Sequence, residues 1–332
     1  MTRYPTVLKP YGRALVELAT AREEVLCLSG DLTRQCEIDL FQGAFPSRFI
    51  HAGMAEANMI GLAGALARRG HMPFVHTFGV FATRRPLDQI VNAIAYPNLP
   101  VRLIGFMPGL SSPGGPSHQA IEDVALMRAI PNMTVVDVAD ATEIGQAVPA
   151  IADVPGPVYL RLKRGEIPLL FGQTHRFSLD RAQILREGGA AAIVTNGMIV
   201  ASALAAADIM STHGLAVAVV NAPVVKPIDR RTVAAVARTV GAVVTAENHS
   251  IVGGLGSAVA EVLAEEGVGV RLRRLGIQDT FAEGARRAPF LFKKYGLGVQ
   301  DIIDAVWSLA GPSTPPPIAP VPESERGEYA PV

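Results

Sequence analysis

Residues 51 to 70 read HAGMAEANMIGLAGALARRG, and one carboxylate, Glu56, stands on an otherwise oily stretch. Read as a helix, the row three and four residues apart is Glu56, Met59, Ile60, Ala63 and Ala67. The other faces are mostly apolar or glycine, so the pattern predicts a helix buried all round until Arg68 and Arg69 return it to water. A buried, unpaired carboxylate is costly unless it stays neutral, so its place on this row calls for a reason. An ordinary reading stands beside this one. A glutamate in the first turn gains about 0.3–1 kcal/mol from the helix dipole, and Glu56 has His51 or a sequence-distant arginine as possible partners.

Other candidates are weaker singly. Phe78 and Phe81, three apart at a strand end, suit a core as well as a cofactor platform. His118 follows the flexible loop SSPGGPS and begins an expected helix with Ser117 as N-cap. Arg164 follows the strand-like VYLRLK, where an arginine is either solvated or holds an anion. GGLGSAVAEVL, from Gly253, resembles a dinucleotide loop, but Val259 replaces its third glycine. Close helix–strand packing explains those glycines, as does a loop at a subunit contact.

The elements that must position these residues read as an α/β chain. Strand candidates in the first half are EVLCLSGD, PFVHTF, VRLIGFM, MTVVDVA and PVYLRL, with helices at about 12–21, 54–69, 81–95, 118–130 and 142–152. Such nearly continuous apolar strands imply largely parallel sheets covered by helices on both faces, here two doubly wound domains. The alternation resumes with AAAIVTNG, AVAVVNAP, GAVVTAEN and VRLRRLG. The expected division is 1–170 for the first domain, 171–186 for a linker, 187–311 for the second domain and 312–332 for a proline-rich tail. Ligands in such sheets bind beyond the C-terminal strand ends. Asp31, Phe78 and the loop before His118 all fall at that rim, and the Glu56 helix precedes the second of those strands.

Composition narrows the function. The 332 residues carry 30 basic and 30 acidic side chains, which argues against a nucleic-acid or electrostatic membrane binder. Hydrophobic residues are 49% and charged residues 18%, so large cores and a buried subunit contact are expected. Two cysteines make no disulfide scaffold, no Cys/His spacing suggests zinc, and no apolar run suggests a leader or a membrane span. A cytoplasmic location is the expectation.

In combination the segments HAGMAEANMIGLAGALA, PFVHTFGVFATRRPLDQI, IAYPNLPVRLIG, GGPSHQAIEDVALMRAIPNMTV and VVTAENHSIVGGLGSAVAEVLAE resemble the C-terminal half of transketolases. Over residues 5 to 310 the chain looks like the smaller subunit of a split transketolase. The resemblance implies a pyrimidine-binding domain followed by a transketolase C-terminal domain, and a thiamine diphosphate enzyme that moves a two-carbon ketol unit between sugars. It implies that Glu56 hydrogen-bonds N1′ of the aminopyrimidine, that Phe78 and Phe81 pack around that ring, and that Asp31 lies near the cofactor. His118 would contact the reacting substrate and Arg164 the substrate phosphate.

Two departures bear on substrate. Relatives usually carry Gly-Glu-Asp-Gly before the Thr-His that matches Ser117-His118; here the loop is one residue shorter, with Gly114 in the aspartate's place. Met107 stands where a substrate-contacting histidine is usual. A non-standard ketose phosphate such as apulose 4-phosphate would fit. The Gly-Asp-Gly motif of the family's diphosphate-binding domain is absent. The expectation is therefore no metal ligand here, Mg2+ or Ca2+ held by an N-terminal diphosphate-binding subunit, and an α2β2 heterotetramer. The alternatives are a 2-oxoacid dehydrogenase E1 β subunit and a non-catalytic assembly or regulatory subunit.

Overall fold

A computed structural model of the chain describes residues 4–320. The expected strands form two main sheets. Across the first, the order is Val224–Lys226, Thr134–Asp137, Val158–Leu162, Arg102–Phe106, Met72–Phe78, Val25–Ser29 and Phe49–His51. Every pairing in it is parallel except that of the Val224–Lys226 edge. Its central strands are buried along their length because helices cover both faces, packing into separate apolar cores on the two sides. The second sheet runs Arg271–Ile277, Ala242–Ser250, Ala191–Thr195, Val217–Asn221 and Gln183–Arg186, with only the last strand antiparallel.

Two strands cross the expected divisions. Val224–Lys226 lies in the second half of the chain but pairs with Thr134–Asp137 of the first sheet, joining the two units through an edge. Gln183–Arg186, inside the stretch read as a linker, closes the second sheet. Expected helices also shorten. The run 81–95 is broken into Gly79–Thr83, Leu87–Gln89 and a π-type turn Ile90–Ala95, because Pro86 lacks the N–H an unbroken helix needs. The helix expected from 118 begins only at Asp123, so Ser117 caps nothing; its hydroxyl bonds His118 Nδ1 at 2.9 Å instead.

The helix Glu56–Arg68 is not buried all round. Glu56, Met59, Ile60, Ala63, Gly64 and Ala67 face the core, whereas Ala57, Asn58 and Ala65 are open to solvent, as is Met54 just before it. The oily stretch is thus one core face and one exposed apolar face.

The tail begins as a surface strap: Trp307 Nε1 donates to Thr314 O at 2.8 Å and Ala319 N donates to Gln300 Oε1 at 2.7 Å. The remainder of the expected tail, 321–332, lies outside the described residues. No helix among them is long and apolar enough to cross a membrane.

Candidate active site

Glu56 opens its helix after the left-handed turn at Gly53 (φ 74°) and is 4% exposed. It is not unpaired. Arg85 Nη1 donates to Glu56 Oε1 at 2.7 Å, while the Arg85 side chain remains half exposed. His51, the other partner considered, pairs with Asp31 at 3.2 Å.

The guanidinium of Arg85 lies 4.1 Å from the centre of the Phe81 ring, one helical turn away in sequence. Phe78 and Phe81 lie near-parallel, with centroids 6.2 Å apart and 18° between planes. His118 meets Phe81 edge-on at 5.4 Å. Glu56, Phe78, Phe81 and His118, spread over more than sixty residues of sequence, therefore form one cluster with Arg85 at its centre. Among the described residues no hydrogen bond or ion pair joins Asp31 or Arg164 to it. Asp31 sits at the same rim in a left-handed conformation (φ 71°). Arg164 is exposed just after Val158–Leu162, beside Gly165, whose N–H donates to the buried Glu37 Oε1 at 3.0 Å.

The His118 loop is held from three sides. Arg84 donates to Pro116 O at 2.9 Å, to Gln119 O at 3.0 Å and to both Glu122 oxygens, tying the Phe81 segment to the loop. Asn248, from the second sheet, accepts from Leu110 N at 2.8 Å and donates to Pro108 O at 3.0 Å. Below lies Arg161, 1% exposed, bonded to Asp123, Asp137 and the Asn248 carbonyl, with Tyr159 donating to Asp123 at 2.6 Å. A buried arginine with two carboxylates and a carbonyl is satisfied and rigid, and here it fixes the second sheet to the start of the helix Asp123–Ala129, just after the loop. Sequence reasoning missed Arg84, Arg85 and Arg161. Adjacent arginines before Pro86 look like a solvated turn, and nothing local shows what they reach.

The GGLG segment serves a carboxylate. Glu247, 2% exposed, accepts from Leu255 N at 2.6 Å and Gly256 N at 2.8 Å, at the start of the helix Leu255–Glu265. Burial pushes its carboxyl up to about 7, against those two N–H donors. A Cβ at Gly254 would collide with Glu247 Oε2, and one at Gly256 would lie 2.7 Å from Thr245 Oγ1. The glycines admit the glutamate and the strand, which is the packing explanation.

Two cavities, of about 190 and 490 Å3, lie near Lys163 where the two units meet and include none of the cluster residues. Among the described residues no three or more His, Cys, Asp or Glu side chains are grouped to hold a metal ion.

Residues 4–168 match the family model for the transketolase pyrimidine-binding domain, and residues 180–302 that for the transketolase C-terminal domain. The chain is 42% identical to a putative uncharacterized transketolase family protein, y4mN, of Sinorhizobium fredii, over 90% of this chain and 87% of the relative. It is 41% identical to the 6-deoxy-6-sulfo-D-fructose transketolase subunit SqwH of a Clostridium species, over 89% of this chain and 91% of the relative. A solved structure described as a split gene transketolase, inactive beta4 tetramer, superposes with a TM-score of 0.84 at 42% identity, covering 93% of this chain and 99% of that one.

Proposed function

This chain belongs to the transketolase family, and on that footing we propose that it is the pyrimidine-side subunit of a two-chain thiamine diphosphate enzyme that transfers a two-carbon ketol unit. The observation that carries the reading is the buried Glu56 carboxylate beside the Phe78–Phe81 pair. The donor set suits the cofactor's pyrimidine. One nearly buried carboxylate offers an acceptor to a ring nitrogen, and two aromatic faces offer a dry wall to a flat ring. Bound thiamine diphosphate supplies an electron sink for breaking a carbon–carbon bond next to a carbonyl.

The chain's own residues do the rest. Glu56 holds a proton shared with N1′, Phe78 and Phe81 exclude water from that contact, and Asp31 borders the cofactor beside His51. His118, edge-on to Phe81, faces the reacting part of the sugar. Arg164 holds an anionic group at the far end of the donor. That group is a phosphate, as in apulose 4-phosphate, or a sulfonate, as the name of the Clostridium relative suggests.

The metal and diphosphate are assigned to a partner chain, with two copies of each chain in an α2β2 complex and the exposed apolar face of the Glu56 helix in a subunit contact. Support comes from relatives of this same length that are subunits or C-terminal sections, and from a β4 structure described as inactive. The units are taken as 1–170 and 187–311, with the strand Gln183–Arg186 added to the second.

In the reconstituted two-chain enzyme, Glu56→Gln should keep the fold and lower turnover by about 100-fold or more, the usual scale of a lost proton-transfer group. Turnover within about threefold of the parent would remove Glu56 from the chemistry.

A further inference from the structure

We infer that residues 283–285, from the C-terminal unit, are a specificity-determining wall of the active site, and that Gln119 is the positioning residue that couples this wall to His118. The inference rests on the reading of His118 as a substrate-facing group.

The seam itself is made of backbone contacts and one buried amide. Gly114 and Gly284 form an antiparallel bridge, and Ala285 N donates to Pro113 O at 2.9 Å. Gln119, next to His118 and 1% exposed, uses its Nε2 to donate to Ser112 O at 3.0 Å and to Glu283 O at 3.1 Å. One amide thus holds both sides of the seam. The far side is buttressed in turn: Glu283 N donates to Tyr295 OH at 2.9 Å, and Lys294 pairs with Glu283 Oε1 at 2.6 Å.

Glycines make this closure possible. Gly115 has φ 73°, and a Cβ there would lie 3.3 Å from Gly284 N. A Cβ on Gly114 would lie 2.8 Å from His118 Cβ. A side chain at 114 therefore displaces the histidine, and the loop has no room for the aspartate that the resemblance leads one to expect there. Beside that loop runs the backbone of 283–285, bridged to Gly114 and packed against Gly115, which selects by shape. Shape alone separates donors by about 10–200-fold, whereas a buried hydrogen bond to a hydroxyl separates them by about 10,000-fold or more. This site belongs to the first regime, with the discrimination set by where Gln119 holds the wall.

The test uses the reconstituted holoenzyme and three donors: D-xylulose 5-phosphate, D-fructose 6-phosphate and 6-deoxy-6-sulfo-D-fructose. Gln119→Ala should shift the ratios of kcat/KM among them by about tenfold, while thiamine diphosphate affinity measured by calorimetry stays within about threefold. Gly284→Val, which wedges the seam but leaves Gln119 intact, should move the ratios in the same way and carries the test if Gln119→Ala does not fold. A uniform loss across the three donors, with ratios unchanged, would overturn the inference. So would a loss of cofactor affinity equal to the loss of kcat/KM. Glu56→Gln in the same assay separates the layers. If it leaves turnover intact, the proposed function fails; if it abolishes turnover while the wall variants leave the ratios fixed, only the wall does.

Discussion

Arg85→Met should weaken the free chain and tighten cofactor binding in the two-chain enzyme, from a single cause. Arg85 holds Glu56 Oε1 at 2.7 Å and lies 4.1 Å from the Phe81 ring centre, so it uses the carboxylate and the aromatic wall proposed for the pyrimidine. An exposed ion pair contributes about 0–1 kcal/mol, and removing one partner of a fully buried pair costs about 3–5 kcal/mol. With Glu56 at 4% and Arg85 at 50% exposure, the pair falls between, at about 1–2 kcal/mol. The cation–ring contact adds about 0.5 kcal/mol for a half-exposed guanidinium. The total is about 2 kcal/mol, which should lower the Tm of the isolated chain by about 5 °C. The same amount is what the pyrimidine must overcome to take Arg85's place. At about 1.4 kcal/mol per tenfold, the variant should bind thiamine diphosphate up to about 30-fold more tightly. Differential scanning fluorimetry of the chain and calorimetric titration of the complex read the two halves. A lowered Tm with unchanged or weaker cofactor binding would refute the shared-place argument and leave Arg85 a supporting group for Glu56.

Two further outcomes follow from other residues. Arg164→Ala should raise KM for a phosphorylated ketose far more than for its unphosphorylated analogue, since it removes a charge-assisted contact to the anion; equal effects on both would assign Arg164 elsewhere. Glu247 has a folded pKa of about 7 against an ordinary 4.5, so its contribution to stability is full below about 4.5 and is lost as pH rises through about 7. Glu247→Gln should therefore gain stability relative to the parent as pH rises between about pH 5 and pH 8. A Tm difference that is flat over that window would contradict it.

Much of the scaffold is legible in the sequence because parallel sheets write themselves as short apolar runs. VLCLS, RLIGF, VYLRL and AAIVT are strands where the runs occur. Strands whose partners are remote are not legible. VVK at 224–226 is too short to signal, and its place in the first sheet depends on an edge more than eighty residues earlier in the chain. In the site, Glu56 stands out because an acid on an apolar row is locally anomalous, and the spacing of Phe78 and Phe81 is right for a pair. The arginines are illegible for the opposite reason. Arg84 and Arg85 look like a solvated turn and Arg161 is one residue of an apolar strand, and only the fold brings carboxylates to them. The expectation that the Glu56 helix is buried all round went wrong because hydrophobicity does not distinguish a core face from an apolar face open to solvent.

The division of the active site between two chains is tested most directly by calorimetric titration of thiamine diphosphate, with magnesium present, into this chain alone and into its mixture with the candidate diphosphate-binding chain. This chain alone should show no micromolar binding and the mixture a dissociation constant of about micromolar order or tighter, with ketol transfer only there. Micromolar binding or ketol transfer by the isolated chain would contradict it.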